Sequence, residues 1–295
     1  MAAAAAVTDG DAFAAGNVFA ARLPALGVGL GFREPLRGDV FLRRGEIDFL
    51  EITADHYLDA APEKERELEL LREHFPLVPH ALDLSLGSAE GVDPTYLRKL
   101  ARLVRRLDPP WWSEHVAFTR AGGVEIGHLA PTEFSREAAR VFARNVAEVR
   151  AHIDAPLILE NITYTLTSPV TTWGEAEFLS EVLERTNCGL LLDVTNLHIN
   201  SVNHGYDFRA FLDRLPLGRV VQLHFVGGHR HGGELIDSHS ERTPEEVWDI
   251  MDDVLARAPV RGAILERDEN LPPIEELLTE LDRAREMGRR HGRWA

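Results

Sequence analysis

Short apolar runs of strand length alternate along this chain with longer stretches whose apolar residues recur every three to four positions, the two periods that separate strands from helices. The runs place strands at 26–32, 47–53, 76–84, 111–118, 156–163, 188–194, 219–226 and 262–267. Helical patterns fall near 36–44, 61–74, 94–107, 134–152, 175–186, 207–214 and 244–257, with a last one at 273–290. Several carry start signals: Asp93 before Pro94, Ser135 with Glu137, and Thr243-Pro-Glu-Glu246. In the last, a hydroxyl caps free amides, proline takes the first turn and acids meet the positive helix end. Eight βα units in 295 residues define an α/β chain and predict a (β/α)8 TIM barrel. It is expected as a single domain over 25–295, preceded by a flexible tail over 1–24. A doubly wound open sheet is the alternative, but no Gly-x-Gly-x-x-Gly turn follows the first strand, since Gly27, Gly29 and Gly31 lie within it. The stretch 119–133, with Gly122-Gly123 ahead of Val124-Glu-Ile126, reads as a hairpin inserted above the fourth strand.

Composition narrows the partners. No apolar run approaches the roughly 18 residues a membrane span needs. The Ala-rich start has no basic residues and reads as a tail, not a signal peptide, so a cytoplasmic protein is expected. A formal net charge of −16 argues against nucleic acid or an anionic membrane as partner and leaves room for a basic or neutral peptide. The single cysteine, Cys188, starts an apolar strand and is expected to be a buried, inert thiol, so any metal must be held by nitrogen and oxygen.

Those atoms are supplied where the strands end. Glu51 and His56 follow the second strand, His80 the third, Glu114-His115 the fourth and Glu160-Asn161 the fifth. Asp193, Asn196 and His198 follow the sixth, His224 and His229 the seventh together with Asp237-x-His239, and Glu266-Arg-Asp268 the last. A lone histidine such as His80 is more often a packing residue than a ligand. Barrel topology reverses that by bringing His56, His80, His198 and His224 to one rim. Positions 237 and 239 of an extended segment share a side, as chelation requires. Adjacent strand residues face opposite ways, so one of Glu114 and His115 reaches the centre, and Glu114 is the favoured one. Glu160 is the stronger anionic ligand beside Asn161. Imidazoles with carboxylates suit Fe, Mn, Zn or Co, and their number suits two or three carboxylate-bridged ions. Glu51 reads as a supporting carboxylate, Trp111-Trp112 as core, His74, His152 and His291 as solvated helix or tail residues, and His128, His204, His229 and His231 as loop residues near the rim.

Taken together, Glu51-Ile-Thr-Ala-Asp-His56, Ser113-Glu-His115, Leu159-Glu-Asn-Ile162, Leu192-Asp-Val-Thr-Asn-Leu-His198, His224 with Gly228-His229, Asp237-Ser-His239 and Leu265-Glu-Arg-Asp268 resemble the multinuclear non-haem iron-dependent oxidative enzymes, the group that includes the methanobactin-biosynthesis oxidase. The resemblance runs from about Gly27 to Glu269. It implies two or three iron ions in mixed Fe(II)/Fe(III) states, with O2 as co-substrate. The matching ligand positions are His56, His80, Glu114, Asn161, Asp193, His198, His224, Asp237, His239 and Glu266. It further implies a ribosomally made precursor peptide altered at Cys, or at Asp or Asn, and a separate leader-recognising protein that joins the enzyme as a heterodimer. Glu51, Asp83, His115, Asn196 and His229 stand as supporting or substrate-contacting positions. Two departures are Asp83, where a smaller or apolar residue is expected, and Ser238, where Thr is common. The rival is a redox-neutral di- or trinuclear barrel of sugar-isomerase or phosphoesterase type. The charge disfavours a nucleic-acid phosphodiester, and the only lysines, Lys64 and Lys99, lie in helical patterns, away from any isomerisation site.

Overall fold

The computed structural model describes residues 19–295. Eight parallel strands close into a barrel: β1 Gly27–Gly31, β2 Leu50–Thr53, β3 Leu77–His80, β4 Trp112–His115, then β7 Leu157–Glu160, β8 Gly189–Asp193, β9 Val220–Phe225 and β12 Gly262–Leu265, which pairs back to β1. The helices are α1 Arg37–Leu42, α2 Pro62–His74, α3 Pro94–Leu107, α4 Arg136–Arg150, α5 Glu175–Thr186, α6 Val194–His204, α7 Phe208–Leu212, α8 Glu245–Arg257 and α9 Ile274–Arg290. Two antiparallel hairpins, β5 Phe118–Ala121 with β6 Val124–Ala130 and β10 Gly227–His231 with β11 Glu234–Glu241, extend from the loops after β4 and β9. The single-domain TIM barrel read from the pattern is therefore what the chain forms.

The barrel interior is filled from below by Phe49, Val78, Trp111, Ile158, Leu191, Val221 and Ile264, one residue from each of seven strands or strand entrances. Trp111 belongs to this plug and Trp112, on the opposite face, to the layer under the helices, and neither is exposed. Of the expected tail, residues 1–18 lie outside the described residues. Residues 19–24 are ordered, with Phe19, Ala20 and Leu23 packed beneath the plug and the Ala20 carbonyl accepting from Arg261 Nε at 2.8 Å. Cys188 is buried, as expected. Among the described residues no helix is long and apolar enough to cross a membrane.

Two elements differ from expectation. The sixth βα unit carries a helix over Val194–His204 that periodicity does not reveal, because Val, Thr, His and Asn are indifferent helix formers. It forms because the Asp193 side chain caps it, accepting from Asn196 N at 2.8 Å, and because eleven residues after β8 must pack back on the barrel. The β10–β11 hairpin stands where the sequence reads as loop around His229 and His231, leading to the extended segment with Asp237 and His239. Its glycines are steric requirements: a Cβ on Gly227 would collide with the Arg242 carbonyl oxygen, and one on Gly228 with that of Ile236.

Candidate metal centre

Because strand side chains alternate, six of the eight barrel strands send a potential ligand inward at or near their C-terminal ends. His80, His115, Glu160 and Asp193 are the last residues of their strands, His224 is the last but one of β9, and Glu266 follows β12. All six are at most 8% exposed, so their charges must be balanced locally. Ligand atoms converge in three groups, His80 with His115 and Glu160, Glu160 with Asp193, His224 and Glu266, and His239 with Glu266 and Asp268, each within 4.8 Å. Glu160 and Glu266 each belong to two groups. The Oε2 of Glu160 faces His80 Nε2 at 3.5 Å and His115 Nε2 at 3.6 Å, while its Oε1 faces His224 Nδ1 at 3.4 Å. Glu266 Oε2 lies 2.9 Å from His224 Nδ1 and 3.7 Å from His239 Nδ1. Both carboxylates thus have bridging geometry.

Behind these groups a chain of hydrogen bonds rises from the plug: Trp111 Nε1 donates to Gln222 Oε1 (2.8 Å), Gln222 Nε2 to Glu51 Oε2 (2.5 Å), and Glu51 holds His224 Nε2 at 2.8 Å. Glu51 thus stands behind His224, whose other ring nitrogen faces Glu160 and Glu266. His80 is held through Nδ1 by Ser113 Oγ at 2.8 Å. On the far side, Asp237 Oδ1 meets His239 Nε2 at 2.8 Å and Asp268 Oδ2 meets His239 Nδ1 at 3.0 Å. His239 takes a left-handed φ of 49°, rare for a residue with a Cβ, and its carbonyl accepts from Asp268 N at 3.0 Å, which ties the hairpin to the exit of β12. Arg33, after β1, pairs with Asp268 and lies 3.5 Å from Glu266 Oε1.

The protonation balance is tense. Burial opposes charge on His224, yet Glu51, Glu266 and Glu160 outweigh it and hold its pKa well above the ordinary value. Burial likewise opposes charge on His115, and Glu160 and Glu114 raise it to about 9. His80 goes the other way, pushed well down by burial and by His115 and His224. Burial, then Glu160 and Asp237, drive the Asp193 carboxyl well up, whereas His224 and His239 overcome burial and hold Glu266 well below its usual range. The buried side-chain atoms without a hydrogen-bond partner include Glu160 Oε2 and Asp193 Oδ2. Unpartnered buried carboxylate oxygens among inward-facing imidazoles are what cations would satisfy, and the nitrogen and oxygen donor set fits Fe, Mn, Zn or Co.

Several expected ligands are placed elsewhere. At β4 the centre receives His115, and Glu114 stands behind it, with Oε1 3.2 Å from His115 Nδ1 and Oε2 accepting from Leu84 N at 3.0 Å, because His115 is the strand's inward residue. His56 is exposed on the short turn Ala54–Tyr57, beside Asp59 and Lys99 and outside the main cavity, which its neighbour Asp55 lines instead. Asn161 spends both ends of its amide on the Asp193 backbone, at 3.1 and 2.9 Å, and so positions that residue. His198 lies inside α6, within the fields of Glu246 and Arg230, because that unexpected helix carries it off the rim. His229 is exposed on the hairpin with Nδ1 2.9 Å from Ser238 Oγ. Asn196 and Asp83 both line the cavity. Asp268, noted in the sequence at the end of the last strand but not among the expected ligands, joins the site two positions after Glu266, and Arg33 joins it with nothing local to mark it. Glu114→Gln is expected to lower affinity at the His80, His115 and Glu160 group by about 10–100-fold, read by chelator competition, with the fold intact. Wild-type affinity would show that Glu114 does not orient His115.

The groups open into a cavity of about 610 Å³ whose mouth is bounded by the β5–β6 hairpin, with Thr119, Glu125 and His128, and by Asp55, Asp83 and Thr163. Three comparisons bear on this arrangement. The sequence model of a family described as RiPP precursor modification enzyme MbnB/TglH/ChrH matches residues 27–289 (RiPP, a ribosomally synthesised and post-translationally modified peptide). A protein of Caulobacter vibrioides named only UPF0276 protein is 36% identical over 274 residues, covering 92% of this chain and 95% of its own. A UPF0276 protein of Vibrio vulnificus is 33% identical over 261 residues, covering 87% and 90%. Among solved structures, D-psicose 3-epimerase from Clostridium cellulolyticum H10 superposes with a TM-score of 0.57 at 13% identity over 90% of this chain and 98% of that one. Endonuclease IV from Thermus thermophilus gives 0.53 at 15% over 89% and 99%. At such identities the two structures are similar in fold.

Proposed function

The chain belongs to the MbnB/TglH/ChrH family of RiPP precursor modification enzymes, and from that premise we propose that it is an iron-dependent, O2-using oxidase that alters a Cys, Asp or Asn side chain of a precursor peptide. The observation that carries the metal part is the pair of shared carboxylates, Glu160 and Glu266, joining three ligand groups around unpartnered buried oxygens. The proposed ligands are His80, His115, Glu160, Asp193, His224, Asp237, His239, Glu266 and Asp268, for two or three ions. Iron in such a site, cycling between Fe(II) and Fe(III), would supply the electron transfer to O2 that no side chain here can supply.

The protein's part is positioning. Glu51 and Glu114 each hold an imidazole so that its free nitrogen points inward. Arg33 offsets the negative charge of Glu266 and Asp268. The mouth, walled by the β5–β6 hairpin, admits a side chain on an extended peptide while the plug below seals the barrel from water. An acidic rim and a net charge of −16 favour a neutral or basic peptide. A partner protein that recognises the leader, and a cytoplasmic setting where a ribosomal peptide is at hand, complete the reading.

The test is metal analysis with Mössbauer spectroscopy on protein made in iron-supplemented cells and purified without oxygen, followed by O2 uptake with a precursor peptide. Two or three irons per chain in mixed oxidation states, with O2 uptake that depends on the peptide, is the expected result. Stoichiometric zinc or manganese that persists under iron supplementation would replace the oxidase by a redox-neutral barrel enzyme.

A further inference from the structure

The chain leaves β7 through residues 161–164, which serve two cavities in turn. Thr163 lines the metal cavity and donates to Asp237 Oδ2 at 3.4 Å, while the next residue, Tyr164, lines a second cavity of about 360 Å³ on the outer side, between this loop and α5 and α7. The walls of that second cavity are aromatic, from Phe134, Tyr164, Trp173, Tyr206 and Phe211, and its floor is the Glu175 carboxylate at the start of α5.

Glu175 is 8% exposed. Its partners are all neutral: Tyr164 and Tyr206 hydroxyls donate to Oε2 at 3.1 and 3.2 Å, and Asn200 Nδ2 lies 3.5 Å from Oε1. Among the described residues no Lys, Arg or His forms an ion pair with it, whereas Glu67, an equally buried acid on α2, pairs with both Arg37 and Lys64. A buried acid without a counter-cation is costly, and one set beneath aromatic faces has the composition of a site for an organic cation. We propose that this cavity binds a basic side chain, lysine or arginine, of the precursor peptide, held between the aromatic walls and Glu175. Because Thr163 and Tyr164 are consecutive, a peptide crossing this loop would have its basic residue here and its reacting residue in the metal cavity within a few positions of each other. The peptide origin of the cation rests on the function proposed above; the cation site itself does not.

The experiment uses the full metal-free chain, titrated at pH 8 with N-acetyl-arginine amide and with N-acetyl-norleucine amide, read by tryptophan fluorescence. Trp173 is half-buried at the wall, whereas Trp111, Trp112, Trp248 and Trp294 are buried. The arginine probe is expected to bind about tenfold or more tighter than its uncharged match. Glu175→Gln should erase that preference, and Ala210→Trp, which fills the cavity from an exposed position on α7, should block both probes. Burial pushes the Glu175 carboxyl up to about 7, so below that pH a proton competes with the cation and the arginine preference should shrink. The groups around it that bear on this titration are Tyr164, Tyr206, Asn200, the His204 ring stacked on Tyr164, and Asp207 and Arg214 in the cavity lining. Equal binding of the two probes by the wild-type chain, or binding unchanged in Glu175→Gln, would overturn the site. Since no metal enters the titration, a failed oxidase assay leaves its result standing.

Discussion

Glu160→Gln is expected to cost the protein at least one bound ion per chain and to lower peptide modification by about 10³-fold, the equivalent of about 4 kcal/mol in the transition state. One oxygen of Glu160 faces the two histidines of β3 and β4 and the other faces His224, so its loss breaks two ligand groups. His239→Ala, at the other end, should remove one group and leave the His80 and His115 pair loaded. What separates this from simple misfolding is the metal-free protein. There Glu160 opposes the Asp193 carboxylate but supports the charged His115 and His224 rings, so an amide trades one effect against the other and the metal-free variant should melt close to metal-free wild type. Wild-type metal content in Glu160→Gln would remove Glu160 from the ligand set, and a lower metal-free melting temperature would mark it as a structural residue.

Removing the metal from the wild type is the second large effect. Four carboxylates, Glu51, Glu160, Asp193 and Glu266, stand buried at the centre with three imidazoles, and cations that bind only the folded chain stabilise it by mass action. At a thousandfold excess over the dissociation constant that is about 4 kcal/mol, which in a chain of this size corresponds to a rise in Tm on the order of 5–15 °C. Exhaustive anaerobic chelation should lower Tm by that amount, and re-addition of Fe(II) should restore it. A melting temperature indifferent to chelation would mean that the acids are balanced by the protein alone, with the histidines charged, and the reading as a metal centre would fall.

The barrel is legible in the sequence because its signals are long-range and redundant: eight apolar runs, each closed by a polar residue, leave few alternatives. The site is legible as a list of strand ends and less so as an assignment of inward-facing atoms. Glu114 and His115 show the difficulty, since a one-residue change in where a strand turns exchanges a ligand for its support. The pattern identifies the alternation at that pair without its phase. His198 escapes for a different reason. Val, Thr, Asn and His give no helical signal, and only tertiary packing, with Asp193 as cap, makes that stretch a helix and takes His198 off the rim. Arg33 leaves no trace at all, because its partners, Glu266 and Asp268, come from the other end of the chain and meet it only when β12 closes on β1.

The two hairpins differ in their freedom to change. β5–β6 shares no register with the barrel and gives the cavity wall only Thr119, Glu125 and His128 among its polar strand residues, whereas β10–β11 carries Asp237 and His239 and is tied to the exit of β12. The first carries none of the proposed ligands, so its tip can be lengthened or recoloured in charge without removing one, while its base stays anchored where Thr119 N and Arg120 N donate to Ser85 Oγ at 2.9 and 3.1 Å. Selection for new peptides has a place to act that is insulated from the chemistry, and a library confined to residues 118–130 is the shortest route to altered substrate choice in this scaffold.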